Sequence, residues 1–183
     1  MSFTRDIISE VTKDEISQTV NLLGKLEPGF LPLPIFEQVA KLVALPVVEL
    51  VPFRQRGDTA EVLLIQRSSD DPLWPGMWHT PGTVVRATDL YSNDDKNWAP
   101  FSRLMRDELK ETPIGKPHFV ASLLHQSKRG VEQAQVYWAE VLGEHNTGQF
   151  FPLTDLPDNL IASQRKFIEE ATASFERSRH RTI

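Results

Sequence analysis

The first part of the chain carries apolar residues at the spacing of a helix face. Ile16, Val20, Leu23 and Leu26 recur every three or four residues, and Glu27-Pro28-Gly29 follows as a stop signal. This pattern predicts a short amphipathic helix over Ile16–Leu26.

A second helical pattern follows a proline-containing extended segment. Its apolar residues are Ile35, Val39, Leu42 and Val43, and it ends before Pro46. Residues 1–45 are therefore expected to form a helical extension, which fits either a dimer interface or a cap over a site.

After residue 46 the pattern changes to strand-like apolar runs, separated by polar turns. Strands are predicted at Val47–Phe53, Ala60–Gln66, Gly82–Arg86, His118–Leu124 and Gln135–Leu142. Helices are predicted at Ala99–Thr112 and Leu160–Phe175, and the polar segment Asp89–Lys96 reads as an exposed insertion. Strands and helices alternate with hairpins between them, which favours an α/β fold with a mixed sheet over residues 46–183.

The composition limits the classes of function. The chain has 183 residues and a net charge of −5, so we expect one domain with an extension and no nucleic-acid partner. It has no cysteine, which excludes disulfides, zinc sites with thiolate ligands and cysteine nucleophiles. Charged residues and prolines interrupt every apolar run, so we expect a soluble cytoplasmic protein with no membrane partner.

The predicted helix at Ala99–Thr112 has two distinct faces. At about 100° per residue, one stripe is apolar and an adjoining sector is acidic. The stripe contains Trp98, Phe101, Met105 and Leu109, and the acidic sector contains Asp107, Glu108 and Glu111. One face of this helix can therefore be buried while its flank presents carboxylates.

These elements occur in an order that resembles the Nudix hydrolase family. The strand ending at Arg67, the segment Trp78–Gly82 and the acidic helix follow one another as they do in that family. The family signature is G-x5-E-x7-R-E-U-x-E-E-x-G-U, where U is a bulky aliphatic residue. The resemblance covers about residues 46–175 and implies an α/β/α sandwich with a mixed sheet.

The signature in this chain is degenerate. Gly82 matches the first glycine, but Thr88 stands at the first glutamate with Asp89 one residue later, and an insertion delays the helix. With Arg106 as the signature arginine, Glu108 would occupy the buried aliphatic position. One residue further on, Leu109 takes that position, and Glu108 and Glu111 become signature glutamates. We prefer the second register because Leu109 belongs to the apolar stripe.

The resemblance implies a metal-dependent pyrophosphohydrolase. Its glutamates would hold Mg²⁺ or Mn²⁺ against a nucleoside-diphosphate-linked or related substrate, with Glu108 and Glu111 as metal ligands and catalytic residues. Asp107 or Asp89 would assist them, and Glu132 is the candidate general base.

The residues expected to contact the substrate are Arg67, Gly82, Lys128 and Arg129, in which the basic side chains would bind phosphate. For Arg67 a structural salt bridge is the alternative, and for Lys128 and Arg129 the alternative is a solvated turn. For the whole chain the alternative is a non-catalytic module that binds a nucleotide-like ligand or a protein partner, because the signature is incomplete. A homodimer is compatible with either function.

Overall fold

The computed structural model describes residues 11–29, 31–91 and 99–180. The helices in these ranges are α1 (Lys13–Leu23), α2 (Leu33–Leu42), α3 (Ala99–Asp107) and α4 (Ala162–His180). The strands are β1 (Leu45–Arg56), β2 (Thr59–Gln66), β3 (Trp78–His79), β4 (Gly82–Val84), β5 (His118–Gln126), β6 (Val131–Glu140) and β7 (Gln149–Pro152). A short 3-10 helix spans Ala87–Tyr91.

The strands form one mixed sheet with β1 near its centre. The main order is β3-β2-β1-β6-β5, while β4 also pairs with β1 and β7 with β2. The pairing of β1 with β6 is parallel, and the other strand pairs are antiparallel. Two hairpins, β1–β2 and β5–β6, build most of the sheet, as the sequence predicts.

Helices cover both faces of the sheet, which gives the predicted α/β/α sandwich. On one face α4 buries Phe167 and Phe175 against β1 residues such as Phe53. On the other face α3 buries Leu104 against Leu50 and further residues of the second core cluster. The chain alternates its apolar residues between two cores, because successive side chains of a strand point to opposite faces.

The N-terminal extension is helical, but its first helix begins earlier than the apolar spacing predicts. Thr12 and Glu15 form a capping box, so α1 starts at Lys13, and Gly24 ends it. This helix buries no residue, whereas α2 buries Ala40. Within the described ranges, no helix is long and apolar enough to cross a bilayer.

The prediction of a helix over Ala99–Thr112 is wrong at its end, because α3 stops at Asp107. Lys110 and Glu111 have φ angles of 49° and 58°, so the backbone leaves the helical path there. The buried hydroxyl of Thr112 donates a hydrogen bond to the Leu109 carbonyl at 2.6 Å. Thr112 thereby satisfies a carbonyl group near the end of the helix.

The predicted exposure of the segment Asp89–Lys96 is wrong for its first residue. The Asp89 side chain is 6% exposed and pairs with Arg103, Nη2 lying 2.6 Å from Oδ2. Residues 92–98, including Trp98 of the predicted apolar stripe, lie outside the described residues.

Candidate functional site

A cavity of about 540 Å³ lies between the N-terminal extension and the loop that follows β4. Four residues predicted from the sequence line it: Arg67, Gly82, Glu108 and Arg129. The folding of the chain thus brings together the end of β2, the start of β4, the end of α3 and the β5–β6 turn. This volume lies within the usual range for a small-molecule site.

Arg67 and Arg129 reach this cavity from different parts of the sheet. Arg67 pairs with Asp71, Nη1 lying 2.9 Å from Oδ2, and Arg129 pairs with Glu132, Nε lying 2.7 Å from Oε1. Their guanidinium carbons lie 5.2 and 5.3 Å from the ring centroid of Trp74. One buried indole ring therefore supports both cations, and each cation also has a carboxylate partner.

A second cavity, about 40 Å³, adjoins the first and shares Arg67, Gly82 and Arg129 with it. Glu132 lines this smaller cavity and is 2% exposed. Its carboxylate also accepts a hydrogen bond from the Ser127 hydroxyl at 2.8 Å and lies 3.4 Å from His125 Nε2. The candidate base is thus a buried residue with several partners.

Glu49 is a further acidic residue at this site, and sequence reasoning missed it. It is 6% exposed on β1, and its Oε2 lies 2.9 Å from Thr80 Oγ1. Thr80 Oγ1 also contacts Gln164 Oε1, and a hydroxyl has only one proton to donate. A protonated Glu49 satisfies all three groups, by donating to Thr80, which donates to Gln164.

The surroundings of Glu49 favour this neutral form. Burial raises the pKa of Glu49 to about 8. The hydrogen bond that Thr80 would donate to an ionised Glu49 acts in the other direction, but its effect is smaller. A Cβ atom on Gly82 would lie 2.6 Å from the Glu49 carboxyl group, so glycine is required beside it. Burial also lowers the pKa of His79 to about 4, and its Nδ1 donates to the Thr80 carbonyl at 2.7 Å. The floor of the small cavity is therefore uncharged at these two residues near neutral pH.

Replacing Glu49 with glutamine should flatten the dependence of stability on pH. Between the ordinary pKa of 4.5 and the folded value of about 8, the folded state holds a proton that the unfolded state has released. Stability should therefore fall as pH rises through this window, by at most about 1.4 kcal/mol per unit for this group. Urea unfolding of the wild type and Glu49→Gln at pH 5, 6.5 and 8 measures this slope. Equal slopes in the two proteins would show that Glu49 is ionised in the fold.

The pair between Asp89 and Arg103 indicates a register for the signature that differs from both sequence alternatives. Burial opposes ionisation of Asp89, but hydrogen bonds from Arg103 and the Arg86 amide outweigh it and lower its pKa. Arg103 also donates to the Thr83 hydroxyl at 2.7 Å and to the Val84 carbonyl at 2.9 Å. The ion pair between Asp89 and Arg103 thus joins the segment after β4 to α3.

When the signature is aligned with Arg103 as its arginine, several neighbouring residues fall at signature positions that suit them. Met105 then takes the aliphatic position and packs in the core, and Lys110, with its positive φ, takes the glycine position. Asp107 and Glu108 become the glutamate pair, while Leu104, which is fully buried, replaces the first helix glutamate. The Asp89–Arg103 ion pair on which this alignment rests is a tertiary contact across an insertion, so the spacing of residues in the sequence does not reveal it.

The predicted metal ligands do not converge. Asp107 is exposed and pairs with Arg106, Nε lying 2.7 Å from Oδ1, and Glu111 is exposed beyond the helix end. Glu108 alone of these three lines the large cavity. Among the described residues there is no group of three metal-ligating side chains. The donor set therefore does not fit a metal centre built by the protein alone.

Lys128 and Glu108, two further residues predicted for the site, lie in different surroundings. Lys128 is exposed, and its ammonium group donates to the Leu73 carbonyl at 2.5 Å instead of lining either cavity. Burial raises the pKa of Glu108, and the charges of Arg67 and Lys110 partly offset that effect. Glu108 is therefore a half-buried carboxyl group that faces a cation across the cavity.

The fold is similar to solved structures, although the sequence matches no family model and no curated protein. The NUDIX domain of Shewanella oneidensis NrtR, solved with ADP ribose, matches with a TM-score of 0.56 and 20% identity, over 85% of this chain and 97% of that domain. The C. elegans Ap4A hydrolase matches with a TM-score of 0.50 and 16% identity, over 73% of this chain and 98% of that enzyme.

Two further structures extend the comparison. The C-terminal domain of mouse MUTYH, solved in complex with human PCNA, has a TM-score of 0.53 and 14% identity, over 75% of this chain and 90% of that domain. A longer NrtR chain, solved with a 27-mer DNA, has a TM-score of 0.53 and 21% identity over 70% of this chain, which spans 61% of that one. The absence of a nucleic-acid partner stays a prediction for the present chain. These similarities establish the shared fold.

Proposed function

We propose that this protein, which has the Nudix fold, binds a nucleotide-like ligand carrying a diphosphate in the large cavity. The observation that carries the proposal is that three arginines, Arg67, Arg86 and Arg129, line one nucleotide-sized cavity. Guanidinium groups bind phosphate oxygens through paired, charge-assisted hydrogen bonds. The Arg67 Nε atom is buried and has no hydrogen-bond partner among the described residues.

The ligands of two structural neighbours support the chemical class. The NrtR domain was solved with ADP ribose, and the C. elegans enzyme is an Ap4A hydrolase. Both molecules join adenosine to a chain of phosphates. These neighbours and the arginines of the cavity together support the proposed ligand class.

Metal-dependent hydrolysis of the same ligand is the second candidate, and Glu108 favours it. Glu108 lines the cavity, and the charge of Arg67 lowers the pKa of its carboxyl group against the effect of burial. It takes the second position of the glutamate pair when Arg103 is the signature arginine. Mg²⁺ often binds through one or two carboxylates together with substrate phosphates. Against this candidate, Leu104 removes one glutamate, and Asp107 is held by Arg106 on an exposed surface.

Calorimetry and product analysis on the same samples separate the two candidates. We would titrate the protein with ADP, ADP ribose and Ap4A, with and without Mg²⁺ or Mn²⁺, and analyse each mixture by chromatography. Binding without product formation supports the leading proposal, and turnover that Glu108→Gln abolishes supports hydrolysis. If no ligand releases heat and none is cleaved, both candidates fail.

A further inference from the structure

The large cavity has two chemically different halves. Arg67, Arg86, Arg129 and Glu108 come from the sheet, α3 and the loop after β4, and they form its charged half. The apolar half includes Leu31, Phe36 and Val39 of the N-terminal extension. A ligand that fills this cavity can therefore contact both charged groups and apolar side chains.

The extension is held against the rest of the protein at two glycines. A Cβ atom on Gly29 would lie 3.3 Å from Thr88 Cγ2, and one on Gly130 would lie 2.1 Å from the Ala40 carbonyl oxygen. These approaches fix the segment before α2 on the loop after β4, and the end of α2 on the β5–β6 turn. Arg129 belongs to this same turn, so the two halves of the cavity share one support.

We infer that Leu31, Phe36 and Val39 form the subsite for the base of the ligand, with the Phe36 ring as its main contact. This inference rests on the proposed function and adds which part of the chain recognises the organic moiety. Phe36 is half-buried, and its neighbour in the lining, Leu33, is 53% exposed, so apolar surface remains available to a ligand. Bases stack on aromatic rings of proteins, and every base has a flat face that can do so.

The charges of the other half favour an occupant that carries phosphate over a purely apolar molecule. A lipid-like or purely aromatic ligand would leave the cations of Arg67 and Arg129 facing an uncharged group across the same cavity. A nucleoside diphosphate satisfies both walls, because its phosphates meet the arginines while its base meets Phe36. Inorganic pyrophosphate, by contrast, uses only the charged wall.

Calorimetry with three probes, namely ADP, adenosine and inorganic pyrophosphate, separates the two halves. Phe36→Ala should weaken the binding of ADP and of adenosine by about tenfold and change that of pyrophosphate by less than about twofold. Phe36→Leu keeps an apolar side chain without the flat ring. Its affinity for ADP should lie between those of the wild type and Phe36→Ala. The matched control is Leu42→Ala, because Leu42 lies on the same helix, is 82% exposed and does not line the cavity.

The outcomes distinguish this inference from the proposed function. Equal weakening of all three probes by Phe36→Ala would mean that Phe36 acts only on the fold, which overturns the inference. ADP affinity that is unchanged in Phe36→Ala would overturn it as well. If the wild type binds neither ADP nor pyrophosphate, the proposed diphosphate site is rejected. Adenosine then tests the apolar half alone, and a wild type that does not bind adenosine either overturns the inference. Thermal unfolding followed by circular dichroism verifies that each variant is folded.

Discussion

Replacing Arg67 with methionine is expected to weaken the binding of ADP by about 100-fold, which corresponds to about 2.7 kcal/mol. Methionine retains much of the aliphatic stem and removes the cation and its donors. The partner Asp71 would also lose its 2.9 Å ion pair and would then repel the phosphates. Calorimetry at low salt measures the change in affinity. The affinity of Arg67→Lys for ADP should lie between those of the wild type and Arg67→Met, because lysine keeps the charge without the planar guanidinium group.

Arg56→Met is the matched control for this variant, because Arg56 is exposed near the β1–β2 turn and does not line either cavity. Its affinity for ADP should equal that of the wild type. If Arg67→Met remains folded and binds ADP as well as this control, Arg67 is a structural residue and the phosphates lie elsewhere. That outcome would favour the salt-bridge alternative for Arg67.

Replacing Gly130 with alanine is expected to destabilise the protein by about 3 kcal/mol or more. Its φ of +146° lies in a region that residues with a side chain rarely adopt, and the new Cβ would stand 2.1 Å from the Ala40 carbonyl oxygen. Backbone atoms cannot turn aside as a side chain does, so α2 must move away from the β5–β6 turn. Urea unfolding measures the loss, and ADP binding should weaken with it because α2 carries part of the cavity wall.

Gly57→Ala separates the cost of the backbone angle from the cost of the contact. Gly57 also has a positive φ, +59°, but nothing lies within 4 Å of the position of its added Cβ. Its destabilisation should be about 1 to 2 kcal/mol, from the left-handed backbone alone. Equal losses in the two variants would mean that α2 is not docked at Gly130.

Local patterns account for most of the fold. Runs such as Val47–Phe53 alternate between two cores and predict strands, and the turn at Lys128-Arg129-Gly130 predicts the second hairpin. The errors lie at helix ends, at Asp89, and at the short strands β3 and β7, which the pattern did not predict. α3 ends five residues before its predicted limit, because Thr112 and the left-handed residues Lys110 and Glu111 redirect the chain there. Hydrogen bonds of this kind depend on neighbours that periodicity does not include.

The site was less predictable from the sequence. Arg67, Gly82 and Arg129 line the large cavity, because each belongs to a strand or turn that the pattern already places, and their contact with a substrate stays a prediction. Glu49 was missed since a single acidic residue within an apolar run gives no sign of the side chains that will surround it. The Asp89–Arg103 pair spans an insertion, and only the folded structure brings those two residues into contact.

The parallel pairing of β1 with β6 has a consequence for the order of events during folding. Leu45 pairs with Glu132 and Phe53 with Glu140, so these contacts join parts of the chain that are far apart in sequence. The hairpin β1–β2 can form as soon as both strands have been synthesised, but the other edge of β1 waits for β6. During that interval an apolar edge strand is available to other chains. We therefore expect slow refolding and concentration-dependent aggregation, because this edge of β1 stays open until β6 pairs with it.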